Sequence, residues 1–186
     1  MPYLVRYEID DDDWRALAEE VRARAADLRP VMKQAGEYML LEVDERFRKE
    51  RGPDGKPWQA LAASTLQKQF TRGNRSRKRK RRTHRRDGQE SAAFARFAGA
   101  KKILQEDGTR GGLRGSITYR AYRAALEHGT NKIYGAIHQL GGKAGRGHRV
   151  TIPARPYLGY SEENVAVIRE MVRRYLLGAG DAPTEP

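Results

Sequence analysis

Four side chains with the chemistry of a metal or nuclease site lie in the stretch 128–148: His128, Asn131, His138 and His148. A hydrolytic centre of this kind also needs acidic ligands around a divalent ion and a positioned general base. The chain has no Asp or Glu between Glu127 and Glu162, and it contains no cysteine. The ligand set is therefore incomplete, and we expect no metal, no cofactor and no catalysis.

The other sequence signatures of enzymes are missing as well. There is no Gly-x-Ser-x-Gly turn, paired-carboxylate constellation or dinucleotide fingerprint, and the glycine-rich stretch 108–115 lacks the Lys-Ser/Thr ending of a phosphate-binding loop. The simpler interpretation of His138 is structural, because Tyr134 precedes it by one helical turn. We expect the His138 ring to hydrogen-bond the backbone of a neighbouring element.

Positive charge is concentrated in residues 71–86, which contain no acid, whereas the whole chain carries a net charge of +13. Such a segment repels itself, so it needs a polyanion, an acidic protein surface or open solvent around it. Gly73 and Gly88 flank the run and indicate a loop insertion over 71–90. The Lys and Arg residues concerned are Arg72, Arg75, Arg77, Lys78, Arg79, Lys80, Arg81, Arg82, Arg85 and Arg86.

Three interpretations of this basic loop stay open: contact with nucleic-acid phosphates, a solvated loop, and a localisation signal. Arginine binds phosphate in a bidentate manner, which favours the first. No Phe, Tyr or Trp lies between Gly73 and Gln89 to stack on bases. If the loop binds nucleic acid, we therefore expect the binding to be independent of sequence.

Length and composition predict one domain over residues 1–177, with the basic loop as an insertion. The 186 residues include no cysteine, so redox chemistry does not indicate a compartment. The N-terminus lacks a signal-peptide pattern, and no apolar run approaches the ~18 residues that span a membrane. We expect a soluble protein made inside the cell, without membrane contact.

Hydrophobic periodicity predicts the elements of the N-terminal half. Residues 3–9 alternate as a short strand (1–9), and the acidic run 10–13 begins a helix that Pro30 interrupts or restarts. The apolar stripe of that helix makes Trp14 a core or interface residue. A second helix is expected over 31–49, and its buried face is Met32, Ala35, Met39, Val43 and Phe47.

The rest of the chain is predicted from turn and cap signals. A turn at 53–55 returns Trp58 and Leu61 to the core, and helices are expected from Ser64 and over 91–104. Residues 113–127 suit two short strands better than a helix. A helix from Asn131, a flexible tip over 142–147, an extended segment over 148–161 and a final helix capped by Ser161 follow, before a flexible tail over 178–186.

Several motifs, taken in order, resemble the phage virion morphogenesis family, the tail-completion proteins of Mu-like and related tailed phages. The resemblance covers roughly residues 31–177, and the two most specific pieces are Tyr-x-x-Ile-His-Gln-x-Gly-Gly and Pro-Ala-Arg-Pro-Tyr-Leu-Gly. The chain departs from the pattern in its basic loop and at Gly135, where the family generally has alanine. The motifs are Arg46-Phe47, 53–61, Ser64-Thr65 with Lys68, 103–117, 134–142 and 152–164.

The resemblance implies a non-enzymatic virion protein, assembled in the bacterial host cytoplasm, that completes the tail at its junction with the head. The resemblance also implies an α+β fold with helices packed on a small antiparallel sheet, and a ring of six subunits around the channel through which the genome passes. The implied partners are further copies of the chain, the tail tube, the head connector and, without sequence preference, the genomic DNA. The alternative is a basic nucleic-acid-binding or assembly-chaperone module whose likeness to the family is incidental.

Ring contacts between unlike patches require each subunit to offer two different surfaces. Residues 153–160 contain two prolines and do not suit regular pairing, so we expect them at a subunit interface. Tyr157 and Leu158 would then be exposed apolar contacts, and Arg155 would bridge to a carboxylate of the neighbour. Core packing of Tyr157 and Leu158 is the alternative. Trp58, Tyr134 and His138 are assigned structural roles.

Overall fold

A computed structural model describes residues 11–72, 82–85, 87–105 and 112–178. They form helices and two small two-stranded sheets, so the predicted α+β class is confirmed. The strand predicted over 1–9, most of the basic loop and nearly all of the C-terminal tail lie outside the described residues. The helices are α1 (Asp12–Ala25), α2 (Arg29–Lys49), α3 (Ala63–Arg72), α4 (Ala92–Ala100), α5 (Gly135–Leu140) and α6 (Glu162–Leu176). The strands are β1 (Ile117–Ala121), β2 (Leu126–Thr130), β3 (Gly142–Ala144) and β4 (Val150–Ile152).

Helix α2 begins as the position of Pro30 predicts, with the proline in its first turn. The Asp27 carboxylate accepts hydrogen bonds from the Arg29 backbone N–H and guanidinium, and these contacts lower the pKa of Asp27 to about 2. The predicted inner face is confirmed, because each of its residues is buried: Met32, Ala35, Met39, Val43 and Phe47.

The described residues form two compact units, and α2 contributes to both. The first comprises 11–41, 118–129 and 160–178. A Cβ added to Gly36 of α2 would lie only 2.2 Å from Cδ2 of Tyr119 in β1, so the helix contacts the strand directly at a position that only glycine allows. β1 and β2 are joined by a tight turn in which the Tyr122 N–H donates to the Ala125 carbonyl (2.8 Å). This short connection makes the pair an antiparallel hairpin.

The last helix is capped as predicted. The Ser161 hydroxyl accepts from the Asn164 N–H (3.1 Å), and the Asn164 side chain accepts from the Ser161 N–H (3.0 Å), so two N–H groups at the helix start are satisfied reciprocally. Asn164 is fully buried and also donates to the Tyr38 hydroxyl (2.9 Å). The cap therefore joins α6 to α2.

The second unit comprises 42–72, 82–85, 87–105, 112–117 and 130–159. Phe47 lies at its centre, with ring centroids 5.4 Å from Trp58 and 5.5 Å from Tyr157. Phe70 of α3 contacts Phe94 and Phe97 of α4 at 5.4 and 5.3 Å. The main buried cluster is Val43, Phe47, Trp58, Ile103, Leu113 and Tyr157.

Several predicted boundaries are wrong for local reasons. α4 ends at Ala100 and not at 104. α5 begins at Gly135 and not at Asn131, because the Thr130 hydroxyl accepts from the Lys132 N–H (3.1 Å) and holds a turn there. The tip predicted over 142–147 contains β3, which pairs with β4 in antiparallel register, Gly142 opposite Ile152. Pairing ends before Pro153, whose ring nitrogen has no hydrogen to donate. Of the strands predicted over 113–127, β1 is confirmed, and β2 continues to Thr130.

Trp14 does not join the interior of the chain. No residue of α1 is buried, and the side chains of Trp14 and Leu17 are 69% and 40% exposed. The prediction that Trp14 lies in the core is therefore wrong, and its role at an interface stays a prediction. Asp11 occupies the N-cap position without a capping side-chain hydrogen bond and pairs with Arg15 (2.7 Å).

Candidate functional site

The segment 153–159, which carries the most specific motif of the sequence, is held by side chains from distant parts of the chain. Arg46 of α2 is buried, and its Nη1 donates to the carbonyls of Tyr157 (3.1 Å) and Gly159 (2.8 Å). The Trp58 indole N–H donates to the Pro156 carbonyl (2.9 Å). These contacts satisfy backbone acceptors that an irregular segment leaves without partners in regular structure.

Gln139 of α5 completes this arrangement. Its Oε1 accepts from the N–H groups of Tyr157 and Leu158, both at 3.0 Å, and its Nε2 donates to the Leu158 carbonyl (2.9 Å). A single side chain therefore replaces the hydrogen bonds that a neighbouring strand would make. The result is a fixed, non-repetitive backbone.

Arg155 is not the exposed cation that the sequence predicted. Its side chain is 4% exposed, and it donates to the carbonyls of Gln59 (2.9 Å) and Ala60 (3.2 Å). Burial lowers the pKa of the guanidinium below its usual value. In the part of the chain that the structure describes, no carboxylate lies within ion-pair distance of Arg155. The cation is thus compensated by backbone dipoles.

Tyr157 is likewise an interior residue, so the core-packing alternative is confirmed for Tyr157 and its exposed position is wrong. It is 1% exposed and packs on Phe47, and burial raises the pKa of its hydroxyl. Leu158 is partly buried against the same core. Tyr157 can be buried because Gln139 and Arg46 hydrogen-bond the backbone of this segment, which the prolines prevent from pairing regularly with a strand. Its polar backbone groups therefore have partners inside the protein.

A second polar network lies beside this core. Arg114 pairs with Asp44, with Nη2 at 2.8 Å from Oδ2, and also donates to the Gln105 side chain (3.2 Å). Hydrogen bonding to Arg114 lowers the pKa of Asp44. The Glu50 carboxylate accepts from the Ile103 N–H (2.7 Å). These contacts connect α2 to the residues on both sides of the stretch 106–111.

The second unit also contains a cleft of about 650 Å³, which we call the basic cleft. It lies between the residues that precede α3, the residues that follow α4, and strand β4. Apolar side chains such as Leu61, Leu104 and Ile152 line its walls. Among the described residues that line it there is no Asp or Glu, whereas the described cations are Lys101, Lys102, Arg149 and Arg155.

Comparison with known proteins identifies the family of this chain. The family model described as the phage virion morphogenesis family matches residues 9–177. The chain belongs to the phage virion morphogenesis family. Membership makes it a protein of phage virion assembly, and it confirms the resemblance drawn from the motifs.

Two relatives of this family member come from Haemophilus influenzae. One, named Mu-like prophage FluMu G protein 2, is 55% identical over 63 residues, which are 34% of this chain and 46% of that protein. The other, named Mu-like prophage FluMu G protein 1, is 25% identical over 161 residues, which are 83% of each chain. The first match thus spans about half the relative's length. No solved structure gives a significant match.

In this virion morphogenesis protein, the basic loop is described only at 71–72, 82–85 and 87–90. Arg82 and Arg85 are exposed, and an isolated antiparallel bridge joins His84 to Glu90. The Ser91 hydroxyl donates to the Arg82 carbonyl (2.8 Å) and also caps α4. Arg72 ends α3, and the other predicted phosphate-binding residues lie outside the described part of the chain: Arg75, Arg77, Lys78, Arg79, Lys80, Arg81 and Arg86. Their role stays a prediction.

The residues assigned structural roles occupy different environments. Trp58 is buried, as predicted. The Tyr134 ring is 44% exposed and contacts the His138 ring edge to face, with centroids 6.1 Å apart. The His138 backbone carbonyl accepts from the Arg155 N–H (2.7 Å), whereas the predicted contact of its ring with backbone stays a prediction.

In the described part of the chain, the histidines noted in the sequence are not grouped as metal ligands. His128 contacts Tyr160, with centroids 5.0 Å apart, in the first unit, whereas His138 and His148 belong to the second. Over the described ranges, no three His, Cys, Asp or Glu side chains are placed to hold a metal ion. None of the described helices has the length and apolar character needed to cross a membrane.

Sequence reasoning missed Arg46, Gln139 and Gly135 as determinants of this site. A Cβ at Gly135 would lie 2.6 Å from Thr130 Cγ2 and 2.9 Å from the Tyr157 hydroxyl oxygen, so the absence of a side chain there lets α5 approach the core. The available signal was that Arg46, Gln139 and Gly135 all fall within the motifs that resemble the family. The hydrogen-bond partners of Arg46 and Gln139 lie 18 to 113 positions away, which a local pattern does not reveal.

Proposed function

We propose that this protein completes the phage tail and joins it to the head as a ring of six identical subunits around the DNA channel. The match of the virion morphogenesis family to residues 9–177 carries the proposal. The name of the relative that aligns over 83% of its length places that relative in a Mu-like prophage. The protein acts by binding other proteins and catalyses no reaction.

The geometry of the 153–159 segment supports a structural role. Its polar side-chain contacts are directed to backbone carbonyls and N–H groups, and they fix the shape of the chain. A subunit that must fit identical neighbours benefits from such a fixed backbone, because ordering a loop during assembly costs free energy. The tail tube and the head connector are the partners in this proposal, and the virion is its location.

Assembly is tested on the purified full chain and on phage particles. Native mass spectrometry should find a closed oligomer of the 21.1 kDa chain, with six copies expected. Particles should contain the protein in fixed stoichiometry, and phage lacking the gene should accumulate unjoined heads and tails. A monomer that is absent from particles would overturn the proposal and favour the basic nucleic-acid-binding or chaperone module.

Contact between the basic loop and DNA is tested by salt dependence. Binding to duplex DNA should weaken with salt with a log-log slope of about −0.9 per phosphate engaged. We define the loop-Gln variant as Arg75→Gln, Arg77→Gln, Lys78→Gln, Arg79→Gln, Lys80→Gln and Arg81→Gln combined. This variant keeps residues 82–91 and therefore the Ser91 cap of α4. Its slope should be shallower than that of the natural chain.

A matched control removes the same number of exposed cations elsewhere in the chain. It combines Lys33→Gln, Arg48→Gln, Lys49→Gln, Lys56→Gln, Arg173→Gln and Arg174→Gln, all at exposed positions. The control should keep most of the natural slope, because these side chains are dispersed. Equal slopes for the two variants would show that the loop has no special contact with DNA.

A further inference from the structure

The N-terminal part of α1 is acidic in a basic protein. Residues 11–20 contain five carboxylates and one cation, whereas the chain as a whole carries +13. Every residue in this stretch is exposed, and Trp14 presents 69% of its surface. An exposed tryptophan surrounded by acids is costly to leave in water and typical of a contact surface. We call this surface the acidic face of α1.

The basic cleft has the opposite character. Its described lining includes four cations and no acid, and Arg155 is buried there with only backbone carbonyls as described partners. A buried cation compensated by carbonyl dipoles alone is further stabilised when a carboxylate approaches it. The walls also supply apolar surface from Leu61, Leu104, Ile152 and Pro153. The ligand that fits is therefore acidic and carries a large apolar group.

We propose that the acidic face of α1 of one copy binds the basic cleft of the next copy, with Trp14 inserted between the apolar walls. The signs of charge are complementary, and a cleft of about 650 Å³ is large enough to receive an indole ring. The acids nearest Trp14 then face Lys101, Lys102 and Arg149. The occupant is a second copy of this chain.

This inference rests on the proposed function and specifies its subunit contact. The acidic face belongs to the first unit and the cleft to the second, so one copy uses two unlike surfaces to bind two neighbours. Contacts of this head-to-tail kind generate rings when the rotation closes. In this arrangement Arg155 keeps its predicted contact with a carboxylate of the neighbour. The contact is made inside the cleft that Arg155 lines and not on an exposed segment.

Cross-linking tests the contact directly, because the natural chain has no cysteine. Asp13→Cys and Lys102→Cys chains are prepared separately, mixed and oxidised under mild conditions. We expect a disulfide-linked heterodimer to form about tenfold faster than for the control mixture of Asp13→Cys with Lys33→Cys, since docking raises the local thiol concentration. Equal rates for the two mixtures would overturn the inference.

Substitutions at the two surfaces test how much each contributes to self-association of the full chain. Trp14→Ala should weaken self-association by about 30-fold, as expected for a central aromatic contact, whereas Trp14→Phe should retain most of it. The unfolding transition of the monomer should not change, because Trp14 is exposed. Asp13→Lys or Lys102→Glu alone should weaken association, and mixing the two variant chains should restore it.

The outcomes separate this inference from the proposed function. If the natural chain forms a ring in particles but neither Trp14→Ala nor the charge reversals alter it, the inference fails and the proposed function stands. If the natural chain forms no ring, the proposed function fails. If Lys102→Glu lowers DNA affinity and leaves assembly unchanged, the cleft binds phosphate and the inference is again overturned.

Discussion

Single side chains determine the shape of the 153–159 segment, and Arg46 has the largest share. Its guanidinium satisfies the Tyr157 and Gly159 carbonyls inside the second unit. Arg46→Met keeps the apolar stem and removes the donors, so both carbonyls lose this partner. We expect the free energy of unfolding to fall by about 3 kcal/mol, measured by urea denaturation.

Arg48 provides the matched control on the same helix. It is an exposed side chain that pairs with Asp44 at 3.0 Å. Arg48→Met should cost no more than about 1 kcal/mol, because surface ion pairs contribute little. Similar losses for the two variants would mean that the contacts of Arg46 with the segment do not govern its stability.

Gly135→Ala should destabilise the protein, although helix propensity alone predicts that it stabilises α5. Alanine favours a helix by about 1 kcal/mol over glycine. The added methyl at Gly135→Ala would meet Thr130 Cγ2 at 2.6 Å, so overpacking should outweigh that gain and lower the free energy of unfolding by about 1 to 3 kcal/mol. Thermal unfolding measures the loss.

A second substitution identifies the cause of that loss. Thr130→Ser removes the clashing methyl and keeps the hydroxyl that contacts Ser116 (2.6 Å). Combined with Gly135→Ala, it should recover part of the stability, and the double-mutant cycle should show favourable coupling. Additive losses would instead attribute the effect of Gly135→Ala to the backbone.

The Asp44 and Arg114 pair predicts a pH dependence. Hydrogen bonding to Arg114 lowers the pKa of Asp44 below 3.8, so the pair stabilises the fold above that pH and loses its effect as the pH falls further. Asp44→Asn should cost about 1 kcal/mol at pH 7, a modest value because the side chain is about a third exposed. The difference from the natural chain should shrink below pH 4 in denaturation curves.

Among the elements, the buried face of α2 and the start of α6 were predicted correctly from the sequence. The inner face of α2 follows from the spacing of Met32, Met39 and Phe47, and the start of α6 follows from Ser161, because both signals are local. The local pattern left both burial and exposure of Tyr157 open. Its burial depends on Gln139 and Arg46, which meet the segment only after the chain has folded.

The contribution of the α6 cap to the free energy of unfolding is measurable by a single substitution. Ser161→Ala removes the acceptor of the Asn164 N–H, and we expect the free energy of unfolding to fall by about 1 kcal/mol. Glu163→Ala, an exposed position in the same turn, should cost less, a few tenths of a kcal/mol. Thermal denaturation compares them, and a larger loss for Glu163→Ala would contradict the capping role.

Helix α1 shows the limit of a periodic pattern. Its stripe from Trp14 predicts an apolar face, but the period does not state whether the surface that covers this face belongs to the same chain. In the structure no residue of α1 is buried. An exposed stripe of this kind therefore favours contact with another molecule, here a second copy of the chain in the proposed ring.

Charge is the property that acts on the whole molecule. Most of the net charge of +13 comes from residues 71–86, so copies of the chain repel one another through this segment. If the proposed ring brings the segments of its subunits close together, the repulsion rises, and DNA in the proposed channel would neutralise the same charges. Binding of DNA and assembly of the ring should therefore favour each other, because linkage between two binding equilibria is reciprocal.

This coupling predicts how two changes affect self-association, measured by sedimentation velocity. Short duplex DNA should lower the concentration at which the natural chain assembles, by screening the basic loop. The loop-Gln variant should already assemble at the lower concentration without DNA, and added DNA should have little further effect on it. The six-site control variant should still respond to DNA. If DNA instead dissociates the natural oligomer, the loop and the subunit contact compete for one surface, and the DNA-channel arrangement is wrong.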